Sequence, residues 1–203
     1  MSEETNIVFD FGGVLLDWNP RHLYQKLFDG DDEAMERFLE EIDFYAWNHR
    51  QDMGRPFAEA VAELSAQYPH RAALIASFAD RWDETLAGPI RQSVEILGAL
   101  KQKGYPLYGL TNWAAETFYR IRHKHDFLDW FEAIVVSGDV GLAKPDPAIY
   151  HILLEQVGAP ADQCLFIDDS RANVVTANQL GFMTIHYQTP GQLRGDLASR
   201  GLL

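Results

Sequence analysis

Four groups of polar residues lie where short apolar runs give way to loops, and their side chains are of the types that carry out group transfer. They are Asp10, the pair Thr111 and Asn112, Lys144, and the pair Asp168 and Asp169. A carboxylate such as Asp10 can act as a nucleophile that forms an acyl phosphate or an ester. A lysine beside it would offset the negative charge of nucleophile and substrate, as a point charge suited to phosphate.

The paired acids indicate a metal site beside the candidate nucleophile. Asp10, Asp168 and Asp169 would present oxygen ligands, the kind that Mg²⁺ prefers. Without a cation, three carboxylates this close would repel one another and raise one another's pKa values. A metal ion is therefore expected between them. The hydroxyl of Thr111 and the backbone amides that follow it can donate hydrogen bonds to phosphate oxygens.

Five short apolar runs predict the strands that position these residues. They cover residues 7–9, 105–112, 131–137, 164–170 and 182–187. From residue 90 onward strands alternate with helices, a pattern typical of a parallel sheet. Such sheets bind ligands beyond the carboxyl ends of their strands, so the four polar groups are expected to meet at that edge. Gly12 and Gly13 would let backbone amides approach a bound anion closely.

Residues 17–88 show helical periodicity and almost no strand signal. Four helices are predicted, beginning near residues 20, 31, 57 and 72, and the last of them runs to residue 86. Residues 44–52 are interpreted as a segment between helices that covers the site and selects the substrate, with Trp47, His49 and Arg50 as candidate contacts. The competing interpretation is an exposed helix end whose aromatic residue packs into the bundle. Trp18, at the entrance to this insertion, is a further candidate for the pocket wall.

The composition argues against several classes of protein. The chain of 203 residues, 47% of them hydrophobic, suits one large domain or a core with a small insertion, and no apolar run approaches the ~20 residues of a membrane-spanning helix. Its net charge of −13 argues against binding to the nucleic-acid backbone. The acidic residues 1–5 do not resemble a secretory signal. The single cysteine, Cys164, allows no disulfide within the chain, which fits a reducing cytoplasm.

With all four groups in order and a helical insertion after the first, the sequence resembles the haloacid dehalogenase-like hydrolase superfamily, in the group with a helical cap. The matching motifs are the apolar run ending in Asp10, the run ending in Thr111 and Asn112, the lysine in Gly-Leu-Ala-Lys-Pro-Asp-Pro, and the run ending in Asp168 and Asp169. The resemblance implies an α/β fold, a Rossmann-like parallel sheet with helices on both faces plus an inserted α-helical bundle. The expected core comprises residues 1–16 and 89–203, and the expected cap residues 17–88.

The resemblance also implies a role for each matching residue. The implied Mg²⁺ ligands are Asp10, the backbone carbonyl of Gly12, Asp168 and Asp169. Asp10 would also be the nucleophile, and Lys144 would hold phosphate and nucleophile together. Thr111 and Asn112 would bind the transferred group. Asn173 is expected to orient Asp169 or Lys144.

Position 12 departs from the family's pattern, because most of its phosphatases carry there a second aspartate that acts as general acid and base. Such help is typically worth ~10²–10⁴ in rate. L-2-haloacid dehalogenases lack this aspartate because halide leaves without a proton, and some sugar-phosphate phosphatases have a similar Asp-x-Gly turn. With Gly12, an anomeric or otherwise acidic leaving group would react most easily, unless a cap residue or water takes over the proton transfer.

The last motif discriminates between these subgroups. Dehalogenases of the family have lost the paired acids, so Asp168 and Asp169 favour a Mg²⁺-dependent phosphatase. Its expected substrate is a small phosphorylated metabolite, such as a sugar phosphate, and its expected intermediate is an aspartyl-phosphate at Asp10. The alternatives are an L-2-haloacid dehalogenase that forms an aspartyl ester, and a catalytically impaired binding protein. The oligomeric state, monomer or homodimer, is left open.

Overall fold

A parallel sheet of five strands forms the centre of the computed structural model, which describes residues 5–203. The strands of this described part, in chain order, are β1 (Asn6–Phe9), β2 (Leu16–Trp18), β3 (Leu86–Pro89), β4 (Leu107–Thr111), β5 (Ala133–Val136), β6 (Cys164–Asp168) and β7 (Met183–His186). The sheet has the order β5-β4-β1-β6-β7, and each neighbouring pair is parallel. Residues 1–4, on which the expectation about a secretory signal falls, lie outside the described residues.

The central strand β1 is buried on both faces, which explains its continuous apolar run. Ile7, Val8 and Phe9 are all fully buried. Because side chains alternate along a strand, Ile7 and Phe9 enter one hydrophobic cluster and Val8 enters another. The two clusters lie on opposite faces of the sheet.

Helices cover both faces of the sheet. The α-helices of the described residues are α1 (Pro20–Leu27), α2 (Asp32–Glu41), α3 (Phe44–Asp52), α4 (Phe57–Gln67), α5 (Ala72–Asp80), α6 (Arg91–Gln102), α7 (Ala115–Arg122), α8 (Ser137–Val140), α9 (Pro147–Val157), α10 (Arg171–Gln179) and α11 (Pro190–Ser199). Helices α6, α7 and α11 pack with the cluster of Ile7 and Phe9, and α9 and α10 pack with that of Val8. The predicted α/β class with a Rossmann-like sheet is confirmed.

Helices α1 to α5 form a bundle around the aromatic ring of Phe78. The ring centroids of Phe44, Trp47 and Tyr24 lie 4.9, 5.6 and 6.4 Å from that of Phe78. Aromatic contacts of this kind stabilise a core beyond the area they bury. The inserted helical bundle of the predicted fold class is therefore present. None of the helices in residues 5–203 is long and apolar enough to cross a membrane.

The interpretation of residues 44–52 as a segment between helices is wrong, because these residues form helix α3. Its buried side contains Phe44 and Trp47 but also the polar residues Asn48 and Gln51. A helix whose inner side is partly polar lacks the apolar periodicity by which sequence patterns indicate helices. The bundle thus has five α-helices where the sequence predicted four.

A second correction concerns both ends of the insertion, where no strand was expected. Strands β2 and β3 pair antiparallel, with Leu16 opposite Pro89 and Trp18 opposite Leu86. The helix predicted over residues 72–86 ends at Asp80 and is followed by a 3₁₀ segment, Trp82–Thr85. Strands of three and four residues are too short to show a period of two. The ribbon crosses both predicted boundaries of the cap, and the division at residues 17 and 88 stays a prediction.

Candidate active site

The four polar groups predicted from the sequence meet at the carboxyl edge of the sheet. Asp10 directly follows β1, Thr111 ends β4 and Asp168 ends β6. Oxygen atoms of Asp10, Asp168 and Asp169 all lie within 4.8 Å of one another. This edge is where parallel sheets bind ligands, and the cluster has the all-oxygen chemistry of a site for a hard divalent cation.

Lys144 connects three strands through its ammonium group. Its Nζ lies 2.9 Å from Oδ1 of Asp10 and donates hydrogen bonds to Oδ2 of Asp168 at 2.6 Å and to the carbonyl oxygen of Leu110 at 2.8 Å. The side chain is almost fully buried. An ammonium has three protons, and all three have acceptors here. Lys144 would therefore act on a bound phosphate mainly through its charge.

Asn112 holds the backbone of Lys144 in place. Its Nδ2 donates to the carbonyl oxygen of Lys144 at 2.8 Å, and its Oδ1 accepts from the backbone N–H of Lys144 at the same distance. Both ends of the side-chain amide are thus used in positioning the loop between α8 and α9. Asn112 also lines the cavity over Asp10, so the predicted contact with the transferred group stays a prediction.

Asp168 is fully buried and serves as an acceptor for three different residues. Its Oδ1 accepts from the backbone N–H of Ser170 at 2.8 Å and from Nδ2 of Asn173 at 3.0 Å. Its Oδ2 accepts from Lys144 and, at 3.1 Å, from Asn173. These bonds occupy about four lone-pair positions, the capacity of a carboxylate. A metal ion would therefore meet Asp10 and Asp169 before Asp168. Asn173, expected to orient Asp169 or Lys144, instead holds Asp168.

The two glycines after Asp10 differ in what surrounds them. Gly13 has a φ of +75°, and a Cβ built there would lie 2.4 Å from Oδ2 of Asp169. Glycine is required at this position both by the backbone and by the approach of that carboxylate. A Cβ on Gly12 would meet no atom within 4 Å, because this residue faces the open cavity.

The electrostatics of the cluster favour a divalent cation. Three carboxylates against one ammonium leave a formal charge of −2. Burial raises the pKa of Asp10 to about 8 despite the opposing effect of Lys144, and burial together with Asp168 raises the pKa of Asp169. Burial alone would lower the pKa of Lys144, but Asp10 and Asp168 more than offset this and raise it. Lys144 thus stays charged, and a dication would neutralise the remainder.

Two adjoining cavities lie between the sheet edge and the helical bundle. The first, of about 330 Å³, lies over Asp10, Lys144 and Asp169. The second, of about 60 Å³, has walls formed by three indole rings, those of Trp18, Trp82 and Trp113. Within residues 5–203, four residues line both cavities, namely Gly12, Trp18, Asp52 and Asn112. A substrate could thus place its reacting group in the first cavity and its remainder towards the second.

The structure brings some of the predicted substrate contacts to these cavities and not others. Trp18 lines both, and Thr111 lines the tryptophan-walled one. Trp47 is instead buried in the bundle, where its indole N–H donates to the carbonyl oxygen of Ala60 at 3.3 Å. His49 is exposed and lines neither of the two cavities. Arg50 lines a separate cleft of the bundle.

Trp47, His49 and Arg50 belong to the segment that approaches the cavities, but they lie on the wrong side of it. In helix α3, residues four apart share a side, so Phe44, Asn48 and Asp52 lie together. His49 and Arg50 are rotated away from that side. The helical period would have pointed to Asn48 and Asp52, had these residues been recognised as a helix.

Asp52, which the sequence analysis did not select, is the last residue of α3. Its Oδ2 accepts a hydrogen bond from Nδ2 of Asn48 at 3.0 Å. Burial raises the pKa of Asp52 to about 7, although a hydrogen bond from the backbone N–H of Ala114 acts in the opposite direction. A carboxyl group with such a pKa can exchange a proton near neutral pH.

Ser137 attaches the end of α3 to the sheet edge. Its hydroxyl donates to the carbonyl oxygen of Asp52 at 2.5 Å and accepts from the backbone N–H of Trp113 at 2.8 Å. Ser137 is fully buried and follows β5 directly. The hydroxyl therefore joins the helical bundle to the loop after β4, which begins with Asn112.

The comparison with known proteins agrees with this geometry. The model of the haloacid dehalogenase-like hydrolase family matches residues 5–181. A sesquiterpene phosphatase, astK, of Aspergillus oryzae is 27% identical over 188 residues, which cover 88% of this chain and 87% of that protein. The match to the relative thus includes both the sheet and the inserted helices.

Two solved structures show the same fold. One is a HAD family enzyme of Bacteroides thetaiotaomicron in complex with magnesium and inorganic phosphate, with a TM-score of 0.67, 22% identity, and coverage of 91% of this chain and 94% of that chain. The other is an L-2-haloacid dehalogenase of Xanthobacter autotrophicus, with a TM-score of 0.64, 19% identity, and coverage of 98% and 84%. At these identities the likeness concerns the fold alone.

Proposed function

The chain belongs to the haloacid dehalogenase-like hydrolases, and from this premise we propose that it is a magnesium-dependent phosphatase of a small phosphorylated metabolite. Asp10 is the nucleophile of the proposed reaction, and the intermediate is an aspartyl-phosphate. The relative from Aspergillus oryzae is a phosphatase, and the similar enzyme of Bacteroides thetaiotaomicron binds magnesium and phosphate. Both similarities support a phosphoryl group as the one transferred.

The observation that carries the proposal is the three-carboxylate cluster with its formal charge of −2. A charge of this size calls for a divalent cation, whereas a carboxylate that attacks a halogen-bearing carbon needs no cation beside it. A phosphate monoester brings further negative charge to the cluster, so its approach would be opposed by repulsion. Mg²⁺ bound by Asp10 and Asp169 would offset this charge and polarise the phosphoryl oxygens.

Other residues would orient the nucleophile, bind the phosphoryl group and receive the leaving group. Asp10 is held by Lys144 and by the backbone N–H of Phe11, which donates to its Oδ1 at 2.7 Å. These contacts orient the carboxylate for attack on phosphorus. Thr111, as the sequence predicts, and the backbone amides after Asp10 would donate to the phosphoryl oxygens. The tryptophan-walled cavity, close to Gly12, takes the leaving group.

Two other functions remain as alternatives. An L-2-haloacid dehalogenase would form an ester at Asp10 and release halide regardless of chelator, and a solved structure of that activity shares the fold. A binding protein that has lost catalysis would bind Mg²⁺ or phosphate without turnover. The proposed metabolite, a sugar phosphate among the options, is small because the cavities over the site are small.

We further propose that the protein acts in the cytoplasm and binds neither nucleic acid nor membranes. A single, buried cysteine that forms no disulfide suits a reducing compartment. A net charge of −13 opposes contact with polyanions. Whether it acts as a monomer or as a homodimer is a question for light scattering in solution.

The test is phosphate release from a panel of sugar phosphates, alkyl phosphates and terpenoid phosphates, with Mg²⁺ and with chelator. The proposal expects release that requires Mg²⁺ and is abolished by Asp10→Asn. Halide release from 2-haloacids in the presence of chelator would instead establish the dehalogenase. Ligand binding without turnover, unchanged by Asp10→Asn, would establish the binding protein.

A further inference from the structure

The inserted bundle presents one carboxyl group to the reaction space. Asp52 lines the cavity over Asp10 and also the tryptophan-walled cavity, and it shares both walls with Gly12. It therefore lies at the junction where the phosphoryl group would meet the leaving group. Its carboxylate is fixed from its own helix by Asn48, at 3.0 Å from Oδ2.

The position of Asp52 is fixed from the sheet side as well. Its carbonyl oxygen accepts from Ser137, and its carboxylate accepts from the backbone N–H of Ala114. Close packing adds to these bonds, because a Cβ on Gly54 would lie 2.9 Å from the carbonyl oxygen of Gly138. The end of α3 is thus attached to the loops that carry the site, and Asp52 is held over it.

Asp52 is the candidate proton donor because the other titratable groups in these cavities have other roles. Among the described residues that line the two cavities, the titratable groups are Asp10, Asp52, Lys144 and Asp169. Asp10 is the nucleophile, Asp169 is the candidate metal ligand, and the protons of Lys144 are all donated to oxygens. Asp52 remains, and burial raises its pKa to about 7, where a carboxyl group can both give and take a proton.

We propose that Asp52 is the general acid and base of this site, so that the helical insertion supplies the proton transfer for which position 12, a glycine, has no side chain. This inference rests on the proposed phosphatase function. It also removes the restriction to acidic leaving groups, since a protonated Asp52 can assist the departure of an ordinary alcohol.

The proton transfers balance over the two steps. In the first, an oxygen of Asp10 attacks phosphorus, the bond from phosphorus to the leaving oxygen breaks, and that oxygen takes the proton of Asp52. The products are an alcohol, the aspartyl-phosphate and the Asp52 carboxylate. In the second, water attacks phosphorus and gives a proton to Asp52, the bond to Asp10 breaks, and hydrogen phosphate leaves. Asp52 is then protonated again and Asp10 is a free carboxylate.

The experiment compares Asp52→Asn with the wild type on an alkyl phosphate and on 4-nitrophenyl phosphate, whose leaving oxygen needs no proton. For the alkyl ester we expect kcat/KM to fall by about 10²–10⁴-fold, the usual contribution of general acid catalysis, and for the nitrophenyl ester by less than about tenfold. The nitrophenyl ester should also give a burst of nitrophenolate followed by slow turnover, because the second step has lost its base.

The matched control is Asp43→Asn, at the opposite end of the same helix. Asp43 precedes α3 with a φ of +47°, a conformation that asparagine tolerates, and it lines neither of the two cavities. This variant removes the same charge and should retain kcat/KM for both esters. Thermal unfolding of all three proteins checks that the substitutions leave the fold intact.

A measurement on the wild type alone guards against a variant that does not fold. Its kcat/KM for the alkyl ester should decline as the pH rises through about 7, while that for the nitrophenyl ester should not show this decline. Equal losses on both esters in Asp52→Asn, no loss on the alkyl ester, or identical pH profiles would overturn the role of Asp52. No phosphate release from either ester by the wild type would overturn the phosphatase function itself.

Discussion

At the residue scale, the hydrogen bonds that each carboxylate accepts decide whether it can bind a metal ion. Lys144 and Asn173 donate hydrogen bonds to the carboxylate oxygens of Asp168, whereas Asp169 lies at the surface of the cavity over Asp10. The chain thus uses one acid of the pair to hold its lysine and leaves the other free to act as a ligand. Identical side chains at adjacent positions have different tasks because one is buried among donors and the other is not.

Gly13→Ala should weaken magnesium binding. The added Cβ would lie 2.4 Å from Oδ2 of Asp169, so this carboxylate has to leave the position from which it would bind the ion. Displacing a ligand through its surroundings typically lowers metal affinity by about 10–100-fold, which isothermal titration with MgCl₂ would measure. Gly12→Ala is the control, since its Cβ meets nothing within 4 Å. Equal affinities in the two variants would contradict this account of Asp169.

The stability of Asp52→Asn relative to the wild type should increase with pH. Burial raises the folded-state pKa of Asp52 from 3.8 to about 7, so the folded protein holds this proton more tightly than the unfolded chain does. The resulting stability is fully present below about pH 4 and is lost as the pH rises through about 7. Asparagine carries no charge to bury. Thermal unfolding midpoints between pH 4 and pH 8 would therefore diverge in favour of the variant, and a constant difference would refute the shifted pKa.

At the scale of helices and strands, the site depends on loops at strand ends, which bring together residues that are far apart in the chain. Ser137 is the main contact between α3 and the sheet edge, through Asp52 on one side and Trp113 on the other. Asn112 connects the loops after β4 and after α8. The bond from Trp113 to Ser137 is buried and the other three hydrogen bonds are partly buried, so they are shielded from water and hold these elements in register.

Ser137→Ala should destabilise the protein and also reduce turnover. The substitution leaves the buried backbone N–H of Trp113 without its acceptor, at a cost of about 1–3 kcal/mol. It also frees the end of α3, so the rate on alkyl phosphates should fall more than the rate on 4-nitrophenyl phosphate. Urea unfolding and the two assays measure these effects. Ser77→Ala, which removes a bond within helix α5, should change stability by less than about 0.5 kcal/mol; a similar loss there would weaken the assigned role of Ser137.

The strands and the four polar groups could be predicted because each depends on local sequence. A buried parallel strand must be apolar, and the residue that follows it must lie at the ligand-binding edge. Helix α3 and the β2–β3 ribbon could not be predicted in the same way. The inner side of α3 includes the polar residues Asn48 and Gln51, which interrupt the apolar pattern, and their side-chain amides donate to Asp52 and to the carbonyl oxygen of Trp47 within the same helix.

For the whole molecule, the strongly acidic chain gathers three carboxylates in one cluster at the sheet edge. The net charge is −13, and the cluster contributes −2 of it in a largely buried position. The folded protein without a cation therefore has to hold repelling charges together. Binding of a dication should stabilise the fold as well as enable the reaction.

Magnesium should raise the thermal unfolding midpoint, and chelator should lower it again. A ligand that binds only the folded state stabilises it by about 2.7 kcal/mol at a free concentration of 100 times its dissociation constant. Differential scanning fluorimetry over a series of MgCl₂ concentrations measures this shift. Asp169→Asn is the control variant, and its midpoint should respond much less. A midpoint of the wild type that is independent of Mg²⁺ would argue against a metal at this cluster.

The most direct test of the account is to trap the intermediate on Asp10. The wild type is mixed with 4-nitrophenyl phosphate and Mg²⁺, quenched in acid within milliseconds, and digested for peptide mass spectrometry. We predict a phosphoryl group on the peptide that contains Asp10, absent in Asp10→Asn and absent when chelator replaces Mg²⁺. Steady phosphate release with no label on Asp10, or with the label on another residue, would contradict the assignment of Asp10 as the nucleophile.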